Sequence, residues 1–246
     1  MTNRYTDGTY LQDNPGWHGE DAAWKLAHVR RALKGAGIAE TRLKTVCDAG
    51  CGAGGVIKLW TKELPETAFY GYDVSPQAFA LAEKDKPKNC VFRLGSSLRP
   101  EPCDALLLLD VLEHIPDWKE FFKKWTNQAE FIVVHMPLDL SVYARLRPSI
   151  LRKERETVGH IHFFTARKFL RELDGLNMRV RHLHYTNKYV ERPPRISRLI
   201  SRAGMFIRQA AHRFLPRAWA AYWVGGYSLM LVLEKKPNPG TNCGAV

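Results

Sequence analysis

Along the first 137 residues, short apolar runs alternate with amphipathic stretches. This rhythm of strand and helix predicts a parallel sheet covered by helices on both faces. Residues 44–48 read as a first strand and 55–63 as the helix after it. Residues 68–73 read as a second strand. Ser75 then caps a helix over 76–84, with Pro76 at its first position. A short third strand is expected at 90–94. The run at 105–109 is apolar throughout, as a central parallel strand buried on both faces requires. An amphipathic helix over 117–128 and a strand over 131–135 complete the regular part.

Beyond Pro137 the rhythm loosens. Residues 138–164 read as an insertion over the carboxyl ends of the strands, where open α/β sheets place their ligands. Thr165 caps a helix to residue 173, and 178–185 alternate as a strand. A second insertion over 192–223 precedes a last strand at 227–234. The expectation is one domain over 1–246. Within it, 1–40 form an N-terminal helical lid, and 138–164 and 190–225 are basic insertions on the acceptor side.

Charge sharpens that division. The net charge is +12, and residues 140–217 hold eighteen Lys and Arg against five Asp and Glu, so this stretch carries the whole surplus. Such a balance admits nucleic acid, anionic lipid, a phosphorylated substrate or plain solubility. No apolar run is long enough to span a bilayer, and the polar N-terminus lacks the apolar core of a secretory signal. Cys47, Cys51, Cys90, Cys103 and Cys243 form no C-x-x-C pair. These features predict a reduced, cytoplasmic protein.

The chemistry concentrates in TVCDAGCGAGG, residues 45–55. Gly50, Gly52 and Gly55 satisfy G-x-G-x-x-G, the dinucleotide pattern. Asp48, at the tip of the same strand, would repel a pyrophosphate but would welcome a cationic amino group. A mononucleotide P-loop is excluded because no Lys-Ser/Thr follows the glycines. Asp73, in GYDVS at the end of the second strand, can accept both hydroxyls of a ribose. A third piece, DVLEHI, starts at Asp110 after the fourth strand.

In these three motifs, in this order and spacing, the chain resembles class I S-adenosylmethionine-dependent methyltransferases, especially the bacterial small-molecule group. The resemblance covers roughly residues 40–137. It implies a Rossmann-like, doubly wound, mainly parallel seven-stranded sheet with an antiparallel last strand and a helical cover. It also implies S-adenosylmethionine as cofactor and S-adenosylhomocysteine as product. Carried over residue by residue, Asp48, Gly50, Cys51 and Gly52 surround the methionine part, and Asp73 and Val74 hold the ribose and flank the adenine. Ser96 and Ser97 stand where many relatives have an Asp for the adenine amino group. Asp110 and Val111 lie below the sulfonium, with His114 nearby. NPGWHGEDAAWK also resembles a segment of such enzymes, read here as a lid carrying Trp24 and Tyr10 or as a helix docked on the sheet.

The sulfonium already activates the methyl group, so the protein must align an acceptor lone pair and exclude water. A hydroxyl acceptor needs a base, and His160 is the first candidate, assisted by His18 or His162. His160, His162 and Glu156 have the chemistry of metal ligands, but no metal is expected. The D/N-P-P-Y/F segment of base-amine methyltransferases is absent, and no RRM or KH pattern occurs, which argues against nucleic acid. Arg195, Arg198 and Arg202 recur at helical spacing beside Ile196, Leu199, Ile200 and Ala203. That face suits a pocket cover, an anionic acceptor or peripheral contact with the inner membrane surface. The resulting expectation is methylation of a small molecule, oxygen ahead of nitrogen, on a sugar, lipid-linked or secondary-metabolite acceptor. The alternatives are an RNA or protein methyltransferase and a catalytically silent cofactor binder.

Overall fold

The computed structural model describes residues 17, 19–95, 100–192 and 199–237, with the backbone alone at 199–203. Seven strands form one sheet in the order β3-β2-β1-β4-β5-β7-β6. They are β1 (Thr45–Ala49), β2 (Ala68–Asp73), β3 (Cys90–Leu94), β4 (Cys103–Leu109), β5 (Ala129–Pro137), β6 (Met178–Thr186) and β7 (Ser228–Lys235). β1 to β5 pair in parallel, and β7 runs antiparallel between β5 and β6. The strand order reverses between β1 and β4, the switch point at which open sheets leave a crevice beyond their carboxyl ends.

Alternating side chains of these strands feed two cores. On one face, Val46, Ala105, Leu107, Val133 and Val232 pack beneath α1 (Ala22–Gly35), α2 (Gly55–Trp60) and α3 (Pro76–Glu83). On the other, Leu106, Leu108, Ile132, Val134 and Leu231 meet α4 (Trp118–Thr126) and the later helices. Ser75, Asp117 and Thr165 cap their helices by accepting the backbone N–H groups of Ala78, Glu120 and Lys168, which fixes where each helix begins.

The insertion after β5 folds as α5 (Val142–Leu146), α6 (Pro148–Lys153) and a π-helical turn over Glu154–Val158 that ends at Gly159, φ 89°. α7 (Ala166–Gly175) leads back to β6. α8 (Lys188–Glu191), α9 (Leu199–Phe214) and α10 (Arg217–Trp223) then lead to β7.

Of the two readings of the N-terminal segment, α1 takes the docked one: Leu26, Val29, Ala32 and Leu33 are buried in the core on this face of the sheet, while Trp24 and Lys25 line the cleft. Tyr10, like the rest of the expected lid before Trp17, lies outside the described residues. No described helix is long and apolar enough to cross a membrane.

Candidate functional site

A cleft of 490 Å³ opens beyond the carboxyl ends of β1, β2, β4 and β5. One end is built by the glycine turn. Gly50 and Gly52 hold φ of +75° and +55°, which glycine reaches without a Cβ penalty. A Cβ on Gly50 would stand 2.0 Å from Val111 Cγ2, so the missing side chain lets Val111 close on the turn.

Four N–H groups of this turn are used inside the protein. Gly50 and Cys51 donate to the Tyr72 carbonyl at 2.8 and 3.1 Å, and Gly52 donates to Asp73 Oδ2 at 2.8 Å. Gly54 donates back to the Cys51 carbonyl at 3.0 Å. A phosphate-binding turn needs such groups pointing at its ligand. This one is pinned to β2 and is therefore unsuited to a dinucleotide, despite its glycine spacing. Asp73 also accepts the Ser75 N–H at 2.9 Å, and each of its oxygens keeps a lone pair for a hydroxyl.

Asp48 lies one layer beneath the turn, outside the lining of the cleft. It is buried, and its Oδ1 has no hydrogen-bond partner. Burial pushes its carboxyl up to about 7, against the pull of Lys25 and with the repulsion of Asp73. An orphaned, buried acid at this place fits a ligand that brings a positive charge to the turn.

Asp110 divides the cleft. It holds φ 57°, a strained backbone for a non-glycine residue, at the end of β4. Its carboxylate takes Lys25 Nζ at 2.8 Å and His135 Nδ1 at 2.6 Å. Burial opposes its ionisation, yet His135 and Lys25 outweigh burial and hold the carboxyl well below the usual range. His135 Nε2 in turn meets Thr186 Oγ1 at 2.9 Å. Trp24 stands edge-on to His135 and donates its indole N–H to Glu191 at 2.8 Å. Cys51, Val74, Val111, His114, Trp24 and Lys25 all line the cleft.

The other end is an acid–imidazole cluster. Glu113 is 0% exposed and neither carboxylate oxygen has a hydrogen-bond partner. His114 Nε2 and His160 Nε2 each stand 3.9 Å from Glu113 Oε1. His160 Nδ1 is held by Asp139 Oδ2 at 2.8 Å, and His114 Nδ1 by the Gly159 carbonyl at 3.1 Å. Burial, together with the charge of Asp110, lifts Glu113 to about 8. Burial lowers His114 to about 4. His160 goes the other way: burial opposes its charge, but the Asp139 hydrogen bond and the charge of Glu113 raise it to about 9. A histidine so held is cationic at neutral pH, which argues against the role of free base that its sequence position suggested.

His162 is also corrected. Its Nε2 donates to the Ile115 and Pro116 carbonyls at 2.9 and 3.0 Å, and it does not line the cleft. His18, Ser96 and Ser97 lie outside the described residues. Sequence reasoning missed Lys25, Asp139 and Arg208, all of which line the cleft. Glu113 was quoted in its motif without a role. A lysine directly after Trp24, amid the acids and aromatics of NPGWHGEDAAWK, was a usable signal, whereas nothing local marks Asp139 or Arg208.

A family model described as a methyltransferase domain matches residues 20–183. No curated protein sequence matches the chain significantly. Among solved structures, it is similar to a chain of the complex between the Haloferax volcanii Trm112 methyltransferase activator and a methyltransferase. The TM-score is 0.62 at 12% identity, covering 97% of this chain and 99% of that one. The plantazolicin methyltransferase BpumL with S-adenosylhomocysteine gives a TM-score of 0.60 at 15% identity, covering 96% and 93%. A Bacillus halodurans C-125 methyltransferase gives 0.59 at 13% identity, covering 87% and 100%. At these identities the likeness shows the fold.

Proposed function

The chain belongs to the methyltransferase-domain family and draws its methyl group from S-adenosylmethionine; on that premise we propose that it methylates a hydroxyl of a small, anionic or lipid-like acceptor. One observation carries the reading. A turn unsuited to phosphate and a buried acid–imidazole cluster occupy opposite ends of one cleft. When bound, the cofactor supplies an electrophilic methyl group on a sulfonium.

This chain's own residues do the rest. Asp48 sets a negative field behind the turn, and Lys25, already balanced by Asp110, offers a cation to the methionine carboxylate. Asp73 takes the ribose. Glu113, His114, His160 and Asp139 form the polar wall that an acceptor hydroxyl would meet. An amine acceptor would need no such wall. Tyr143, Ile150, Glu154 and Tyr189 close the cleft from the insertions and exclude water.

Two features support the acceptor class. Lys188 and Arg208 line the cleft, with Arg208 stacked 5.0 Å over the Tyr189 ring, where they can meet an anionic group. Outside it, Phe206, Phe214, Trp219 and Trp223 are 71%, 81%, 62% and 51% exposed. They lie on two consecutive helices, α9 and α10, whose sequences also carry Arg213 and Arg217. This face supports peripheral contact with an anionic membrane, at the cytoplasmic side, where a lipid-linked acceptor is presented.

Calorimetric titration with S-adenosylhomocysteine, S-adenosylmethionine and NADH, repeated on Asp73→Ala, tests the cofactor end. Micromolar binding of the two sulfur nucleosides that disappears in the variant is expected; binding of NADH alone would sink the reading. Co-sedimentation with anionic vesicles, reduced in a Phe214→Ser/Trp219→Ser double variant, tests the surface. Equal partition with neutral vesicles would remove the membrane part.

A further inference from the structure

At the acceptor end of the cleft, we propose that Glu113, His114 and His160 bind a divalent first-row transition-metal ion. One carboxylate oxygen and one ring nitrogen from each histidine lie within 4.8 Å of one another. The two rings face each other with centroids 5.0 Å apart and planes at 65°, a splay that leaves room between their edges.

Three further observations point to a ligand. Glu113 is completely sealed, yet both its oxygens lack a hydrogen-bond partner, which is costly unless something else meets them. Each histidine is oriented from behind: Asp139 Oδ2 holds His160 Nδ1, and the Gly159 carbonyl holds His114 Nδ1. That is the supporting arrangement of metal-ligating histidines, in which one ring nitrogen is tied to a carboxylate or a backbone carbonyl.

The two chain segments are also stapled together. The backbone N–H groups of Ile161 and His162 both donate to the Glu113 carbonyl, at 2.9 and 3.1 Å. The His162 ring adds its bonds to Ile115 and Pro116, so the ligand set is preorganised. Closing to metal distances of about 2.0–2.2 Å requires the donors to approach by roughly 1 Å or less.

Two imidazoles and one carboxylate suit manganese, cobalt, iron or zinc, and disfavour calcium, which wants an all-oxygen shell. Three protein ligands leave positions open. All three residues line the cleft, so those positions face the acceptor, and the group they would take is an oxygen, as a hydroxyl or its oxyanion. This acceptor role rests on the methyl-transfer reading above, but the metal site does not. It also differs from the trio that spacing alone offered, because His162 is occupied with backbone carbonyls.

The test uses the full chain, stripped with chelator and titrated with Co2+ while the visible absorption is followed. One equivalent should bind and give the bands of a mixed nitrogen–oxygen site. Affinity should fall by more than about a hundredfold in Glu113→Gln and in His160→Gln, above the roughly 10–100-fold that loss of a supporting residue alone costs. It should be unchanged in His182→Gln, a surface-side histidine remote from the cluster. S-adenosylhomocysteine titration of the same metal-free samples reports folding and tests the nucleoside end of the cleft separately. Wild type that takes no Co2+, or binding that survives both ligand variants, overturns the metal site even where the nucleoside binds. Co2+ bound as expected without nucleoside binding keeps the site and removes its assigned role.

Discussion

Asp48 and Glu113 are both buried carboxylates, and among the described residues one oxygen of Asp48 and both of Glu113 have no hydrogen-bond partner; they serve opposite ends of the cleft. Asp48 belongs to a local device: strand tip, glycine turn and helix follow one another within a dozen residues. Glu113 belongs to a distant one, since His160 and Asp139 reach it from forty-seven and twenty-six residues further along the chain. A glycine turn built from one continuous motif tolerates little variation in backbone. An acceptor end assembled from an insertion can change its ligand while the sheet stays as it is.

Asp110 stands between the two ends, so its loss is the largest effect expected. Asp110→Ala leaves the half-buried Lys25 without its counter-ion and removes the partner of His135. Leaving such a group without its partner costs about 1–3 kcal/mol, a fall in Tm of about 2–4 °C for each kcal/mol at this chain length. A Lys25→Met/Asp110→Ala double variant should recover part of that loss. If the double variant is no more stable than Asp110→Ala, the ion pair does not organise the wall between the ends.

Gly50→Ala separates the ends more finely. The new Cβ would meet Val111 at 2.0 Å on a backbone at φ +75°, for a cost of about 1–3 kcal/mol. S-adenosylhomocysteine affinity should fall with it, while Co2+ binding at the far cluster persists. Gly175→Ala is the control, because a Cβ there meets nothing within 4 Å; its stability should change by less than about 1 kcal/mol.

Asp48→Asn should move stability and binding in opposite directions. The Asp48 carboxyl is raised from 3.8 to about 7 in the fold, chiefly by burial, with Lys25 opposing and Asp73 assisting. A raised carboxyl favours the folded state below its unfolded value, and that advantage disappears as pH rises through about 7. The variant should therefore gain Tm relative to wild type above pH 7, by about 2–4 °C for each kcal/mol relieved. Nucleoside affinity should fall roughly tenfold, the size of one lost charge interaction. In wild type, affinity should tighten from pH 6 to pH 8 as the carboxylate ionises, and this slope should flatten in the variant. A parallel slope in both proteins would place the titrating group elsewhere.

What the sequence allowed one to read follows the same division. β2 and β3 begin and end where the apolar alternation predicts, at Ala68–Asp73 and Cys90–Leu94. β4 starts two residues before the apolar run, at Cys103, where the Asp104 side chain accepts the Lys44 and Thr45 N–H groups at 2.6 and 2.9 Å. The insertion after β5 gave no period because Pro148 and the turn ending at Gly159 cut it into pieces shorter than two helical turns. Asp48 was legible because one strand and one turn determine its surroundings. Glu113 was not, since its role depends on which histidine the insertion returns to it.

The smallest effect concerns that choice of histidine. In the sequence His160 and His162 are equivalent, two residues apart and on the same side of an extended segment. In the fold one faces Glu113 and the other staples the backbone after β4. His162→Phe should cost about 1 kcal/mol, the usual net value of a lost hydrogen bond. It should leave nucleoside binding and methyl transfer within about threefold of wild type, a change of less than 1 kcal/mol in the barrier. His160→Gln should reduce methyl transfer far more while leaving S-adenosylhomocysteine affinity nearly unchanged, since it lies at the other end of the cleft. Equal losses of turnover in the two variants would mean that the staple, and not the facing imidazole, is what the acceptor end requires.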